Sequence, residues 1–262
     1  GLGIRITDPN DPRVALYRGV RDPELLRAHG VFIAEGRLVV RRLLESSRFR
    51  ARTVLAAPAA RAGLADLLEW SDDTEVYEAE LPLFRELTGF NVHRGCLAIG
   101  EWRGPAPSWQ DVVPSARTVV VLERVGNPDN VGGVFRAAAA LGADAILLSP
   151  GCADPLYRKS IRTSMAATLT LPFAVVERWP AGLNELRSRG FSILALTPSG
   201  EEEISGVQRP ERAALLLGHE GLGLRAETLA LCDRRVRIAM TPGADSLNVV
   251  TAAAVALDRF RV

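Results

Sequence analysis

TVVVLERVGNPDNVGGVFRAAAALGADAILLS, Thr118 to Ser149, sets an apolar run on either side of an alanine-rich stretch. Runs without polar alternation suit strands buried on both faces, and small residues between them suit a helix, so the segment predicts strand, helix and parallel strand. Pro128 and Asp129 favour a turn after the first run, Asn130 can cap a helix running to Leu141, and Arg136 lies within it. An arginine among alanines is most simply a solvated helix face or an ion pair. SILALT (Ser192 to Thr197) and AALLLG (Ala213 to Gly218) follow with helical patterns between, which implies a parallel sheet with helices on both faces.

Before this region the chain alternates differently. Arg13 to Ala28 has loose helical spacing interrupted by Pro23, VFIA is a short apolar run, and Glu35 to Ser46 is helical. TVLAA reads as a strand, Pro58 to Trp70 as a helix, EVYEA as a strand, Leu81 to Leu87 as a helix and CLAIGEW as a last strand. This gives a small α/β domain over residues 1–102. RGPAPSWQDVVPSA, residues 103–116, has three prolines and no period, the composition of a linker, so a second domain is expected over 117–262.

Composition narrows the class. Lys+Arg total 32 against Asp+Glu 31, and all the cations but Lys159 are arginine, a side chain whose planar fork matches phosphate and whose face stacks on bases. The net charge of +1 neither requires nor excludes a nucleic-acid partner. Cys96, Cys152 and Cys232 are far apart, which suggests neither a disulfide framework nor a metal site. No apolar run is long enough for a membrane span and no secretory signal is evident, so a cytoplasmic protein is expected.

Two further segments could carry chemistry. LLLGHEGLGL, Leu215 to Leu224, runs a strand into a glycine-rich turn holding His219 and Glu220. Gly221, Gly223 and Ala226 fit the G-x-G-x-x-A pattern of a dinucleotide turn, but only about 40 residues follow, too few for the rest of such a fold. In RIAMTPGADSLNVVTAAAVALDRF, Arg237 to Phe260, RIAM reads as a short strand, TPGAD as a turn, and Ser246 as the cap of a long helix with Asn248 in its first turn.

In this order and spacing the three segments resemble the motifs of the SpoU (TrmH) group of RNA 2′-O-ribose methyltransferases, in the SPOUT superfamily. The combination is N-x-x-G-x-x-x-R, then L-G-x-E-G-x-G, then I-x-M-x(5)-S-L-N, and it covers nearly all of Thr118 to Phe260. The first hundred residues look like the ribosomal-protein-like substrate RNA-binding domain of many members, with FIAEGRLVVRRLLES the clearest match. The resemblance implies a parallel sheet whose C-terminal segment forms a deep trefoil knot, a homodimer, an RNA substrate (ribosomal or transfer) and S-adenosylmethionine as cofactor, with no metal.

On that template Leu217, Gly218 and Gly221, with Ile238, Ala239 and Met240, and with Ser246 and Leu247, form the cofactor pocket. Arg136 matches the catalytic arginine. A guanidinium keeps its proton, so stabilising an alkoxide or anchoring a phosphate is physically easier for it than acting as a base. Asn130 would position Arg136 or the substrate, while Glu220, Ser246 and Asn248 would organise the pocket. DPLYRKSIRTSMAATLTLP, Asp154 to Pro172, matches a segment near the RNA, where Arg158, Lys159, Arg162 and Ser164 could grip phosphates. Ala166 stands where many members have glycine, and His219 where serine or alanine is commoner. The competing readings are a non-catalytic RNA-binding protein with a degenerate catalytic half, and a NAD-dependent oxidoreductase using the Gly221 turn.

Overall fold

A computed structural model describes residues 3–262 except 20, 70, 72, 90, 91, 93 and 94. The strands are β1 (Ile4–Arg5), β2 (Phe32–Glu35), β3 (Phe49–Ala56), β4 (Glu75–Glu78), β5 (Cys96–Trp102), β6 (Thr118–Leu122), β7 (Ala145–Leu148), β8 (Phe173–Val175), β9 (Ser192–Leu196), β10 (Glu202–Glu203), β11 (Ala213–Leu217) and β12 (Arg234–Arg237). The helices used below are α1 (Arg37–Glu45), α2 (Leu81–Thr88), α3 (Pro128–Ala140), α4 (Arg158–Thr163), α5 (Gly182–Ser188) and α6 (Val249–Arg259). Contacts divide the chain into two compact units, Gly1–Pro105 with Leu156–Thr170, and Ala106–Pro155 with Leu171–Val262.

The first unit is built on a mixed sheet in the order β1-β4-β3-β5-β2, in which β5 pairs antiparallel with β2 and β3. Leu83, Phe84 and Leu87 of α2 bury one stripe against Tyr17, Leu55, Leu97 and Ile99. The run expected as a loose helix over Arg13 to Ala28 is broken into a 3-10 segment (Pro12–Tyr17), a single α turn (Asp22–Glu24) and a wider turn (Leu25–His29), with Pro23 second in the α turn, where its missing N–H is harmless. The helix expected from Pro58 splits at Gly63 and Leu64 into Pro58–Ala62 and Ala65–Leu68, and its expected end at Trp70 lies outside the described residues.

The segment Leu156–Thr170, expected in the second domain, belongs to this first unit. Its apolar side chains explain why: Ile161, Ala166 and Leu169 are buried, and the Arg48 guanidinium donates to the carbonyls of Leu169 and Thr170. Met165 and Ala166 both adopt left-handed backbone, φ +53° and +68°, which accounts for the glycine expected at the second of them.

The second unit is an all-parallel sheet in the order β10-β12-β9-β11-β6-β7-β8. Every residue of β6, β7 and β11 is buried, as their unbroken apolar runs require when both faces are covered. On one face Val119 and Val121 pack with Ala214, Leu216 and the α5 residues Leu183 and Leu186. The expected linker contributes too, because Trp109 and Val113 are buried in that same cluster, so only its first half connects the units.

Helices α3 and α6 pack together. Val249, Ala253, Ala256 and Leu257 form the buried stripe of α6, at helical spacing. A Cβ on Gly133 of α3 would lie 2.7 Å from Val250 Cγ2, so glycine permits the close approach. Phe135 of α3 meets Phe173 of β8 edge to face at 5.6 Å. Burial pushes the Cys96 and Cys232 thiols up to about 12. Among the described residues no helix is long and apolar enough to cross a membrane.

Candidate active site and cofactor cleft

The site lies beyond the C-terminal ends of β9, β11 and β6, in the second unit, where open parallel sheets place their ligands. Three segments distant in sequence meet there through side-chain amides. Asn130 Nδ2 on α3 donates to Glu220 Oε1 at 2.7 Å, and Asn248 Nδ2 donates to Asn130 Oδ1 at 3.3 Å. Asn248 Oδ1 accepts from Val250 N at 2.8 Å, which caps α6 and turns the amide nitrogen toward Asn130. Each carbonyl oxygen and each amide nitrogen in this chain thus has a fixed direction.

Two expected caps are corrected. Asn127, not Asn130, caps α3, with its side chain accepting from Asp129 N at 2.8 Å, which starts the helix at Pro128 and leaves Asn130 free for Glu220. Asn248, not Ser246, caps α6. RIAM is corrected as well: β12 ends at Arg237, and the following three residues have no regular structure. Among the described residues, the main-chain amides and carbonyls of Ile238, Ala239 and Met240 make no hydrogen bond within the chain. Exposed peptide groups of this kind are free to recognise a ligand edge.

The glycine-rich turn after β11 is held from inside. His219 Nδ1 accepts from Gly221 N at 2.9 Å and from Leu222 N at 3.1 Å, so the ring carries its proton on Nε2. Gly223 N returns to His219 O at 2.9 Å. A Cβ on Gly218 would come within 2.8 Å of the Gly223 carbonyl carbon and the Leu224 nitrogen, so only glycine lets the turn close on itself there. The turn ends on Glu123, a fully buried carboxylate at the end of β6. Glu123 accepts from Arg225 N at 3.0 Å, Trp179 Nε1 at 2.9 Å and Thr228 Oγ1 at 2.5 Å. Sequence reading missed both anchors, since Glu123 looks like the polar end of an apolar run and His219 like an ordinary loop residue.

These elements enclose a cleft of about 420 Å³. Leu217, Gly218, Gly221, Ile238, Met240, Ser246 and Leu247 line it, as do Glu220 and His219, whereas Ala239 does not. Its lining contains no arginine or lysine, and Glu220 is its one carboxylate. The helix after the turn has four residues (Ala226–Leu229), too short to present the dipole that a pyrophosphate-binding turn relies on.

Arg136 stands apart from this network. It is exposed on α3, outside the cleft lining, and among the described residues it makes no hydrogen bond or ion pair. In the first unit Lys159 and Arg162 are exposed on α4, while Arg158 is half-buried, its amide donating to Asp22 Oδ2 at 3.1 Å and its guanidinium 3.9 Å from Glu35 Oε2. Ser164, expected at the RNA, is corrected: it is 1% exposed, and its hydroxyl donates to Ile161 O at 2.8 Å and accepts from Thr168 N at 3.3 Å. Its position in a turn that must be tightened inside a buried segment leaves it no access to a ligand.

A parallel α/β unit with a cleft beyond its strand ends, lined by no cation and flanked by an amide and carboxylate network, is suited to an uncharged or cationic ligand rather than to a phosphate. Residues 117–258 match the SpoU rRNA Methylase family. An uncharacterized tRNA/rRNA methyltransferase of Mycobacterium tuberculosis is 43% identical over 266 residues, 98% of this chain and 91% of that protein. A 23S rRNA (guanosine-2′-O-)-methyltransferase of Bordetella pertussis is 30% identical over 63% of this chain and 69% of its own length. The AdoMet-bound rRNA methyltransferase of Sinorhizobium meliloti has the same fold, with a TM-score of 0.85 at 22% identity over 99% of this chain and 97% of that one. The chain belongs to the SpoU rRNA methylase family. It is an RNA methyltransferase.

Proposed function

We propose that the protein methylates a ribose 2′-hydroxyl of ribosomal or transfer RNA, with S-adenosylmethionine held by Gly218, Gly221, Ile238, Met240, Ser246 and Leu247, and by the main chain at Ala239. The observation that carries this reading is the cleft itself. Its volume of about 420 Å³ suits one nucleoside with a short side chain, and its only carboxylate, Glu220, suits a cation. The unpaired peptide groups of Ile238 to Met240 offer the donors and acceptors that an adenine edge needs. A dinucleotide would bring a pyrophosphate to a lining without a cation, which disfavours the oxidoreductase reading.

The cofactor, when bound, supplies an electrophilic methyl group. The chain must then hold the ribose hydroxyl in line and meet the charge that develops as its proton leaves. Arg136 supplies the positive charge that offsets it, at the oxygen or at the adjacent phosphate, while the proton passes to solvent, and the hydrogen bonds linking Asn248, Asn130 and Glu220 hold the polar groups at the cleft. Lys159 and Arg162 of the first unit hold RNA phosphates, with Arg158 beside them. The protein acts in the cytoplasm as a homodimer, a reading supported by family membership and by the 74% exposure of Leu222 at the cleft. The knotted path of the C-terminal segment is part of the same proposal, supported by family membership.

Calorimetric titration of the protein with S-adenosylmethionine and with NAD tests the cofactor assignment. Saturable binding of the first alone is expected, and binding of NAD alone would overturn it. Light scattering after gel filtration tests the dimer, for which a mass near twice that of the 28.3 kDa chain is expected.

A further inference from the structure

Arg124 follows Glu123 at the end of β6, in the loop that leads to α3. Its φ is +51°, a left-handed conformation natural to glycine and disfavoured for arginine. Neighbouring backbone locks it there. Arg124 N donates to Ser149 Oγ at 2.9 Å, Ser149 N to Leu122 O at 2.8 Å and Ala153 N to Val125 O at 2.9 Å, so the loops after β6 and β7 are stitched together. The side chain is equally uncompensated: Nε is buried without a hydrogen-bond partner, and among the described residues the guanidinium makes no ion pair. The adjacent carboxylate of Glu123 is occupied by Trp179, Arg225 and Thr228.

Strained backbone and an unsatisfied buried donor in one residue both lower stability, and together at the C-terminal ends of parallel strands they mark a residue kept for a ligand. A guanidinium without a carboxylate calls for an anion. Arg124 does not line the cofactor cleft, so that anion is not the cofactor's carboxylate. We propose that Arg124 binds a phosphate of the RNA strand beside the target ribose, as a substrate-positioning residue distinct from Arg136. This rests on the RNA 2′-O-methylation reading above.

Arg124→Gly is the decisive variant, because glycine accepts the left-handed backbone and removes the half-buried side chain with its unpartnered Nε together. The expected result is a Tm equal to or above that of the wild type, unchanged S-adenosylmethionine binding by calorimetry, and a KM for deproteinised bacterial ribosomal RNA raised about tenfold. The dependence of log KM on log salt should also flatten by about one unit of slope. An unchanged KM for RNA would overturn the assignment, as would a lowered Tm, which would make the side chain structural. Weaker cofactor binding with unaltered RNA affinity would place Arg124 on the cofactor and overturn it too. A wild-type protein that transfers no methyl group to RNA would instead sink the parent reading, and this inference with it.

Discussion

Asn248 closes the first turn of α6 and holds the Asn130 amide, so one side chain serves both folding and site geometry. Replacing it with alanine should cost about 1 kcal/mol through the lost cap. Asn248→Asp separates the two roles, since a carboxylate still caps but presents an acceptor to Asn130 Oδ1. That variant should keep the wild-type Tm and lose most methyl transfer, and full activity would show the amide network to be incidental. Ala166 makes a second prediction. At φ +68° alanine is strained where glycine is not, so Ala166→Gly should stabilise the protein by roughly 0.5–1 kcal/mol in urea denaturation, net of the entropy glycine adds to the unfolded chain. That Asn130, Glu220 and Asn248 belong together is legible in sequence as a set of residue types, yet which of them caps and which pairs is not. Asn127 and Asn130, like Ser246 and Asn248, are equally good caps by type, and the choice between them follows from where the chain turns and which side chain Glu220 engages. Ser164 looked available because nothing local reveals that its turn is buried.

Strands β6, β7, β9 and β11 were readable because burial on both faces leaves no polar residue to interrupt them. Segments whose backbone is occupied by something other than a sheet were not. RIAM has strand composition, but β12 ends at Arg237 and, among the described residues, the main chain of the next three residues makes no hydrogen bond. The contact of α3 with α6 gives a prediction at this scale. Gly133→Leu would drive a side chain into Val250, 2.7 Å from the site of the new Cβ, and should cost roughly 1–3 kcal/mol by overpacking. Val250→Ala should recover part of that loss in a double-mutant cycle, and strict additivity would contradict the packing argument. Gly218→Val, whose Cβ meets backbone, should weaken S-adenosylmethionine binding while leaving far-UV circular dichroism unchanged.

The division of the whole chain departs from the expected linear order. Residues 156–170 complete the first unit although they lie within the span of the second, and sequence could not show this because the partners of Ile161 and Leu169 are supplied from far upstream. A fragment beginning at residue 106 would carry this segment without its core. It should be cleaved by trypsin within 156–170, at Arg158, Lys159 or Arg162, far faster than the full chain, and equal resistance would contradict the assignment. The central claim concerns chemistry. Transfer of labelled methyl from S-adenosylmethionine into deproteinised bacterial ribosomal and transfer RNA, followed by digestion to nucleosides, tests it directly for the wild type and Arg136→Ala. A labelled 2′-O-methyl nucleoside that disappears in the variant, with cofactor binding retained by both, is the predicted result; label on a base, or no incorporation by a wild type that binds the cofactor, would contradict it.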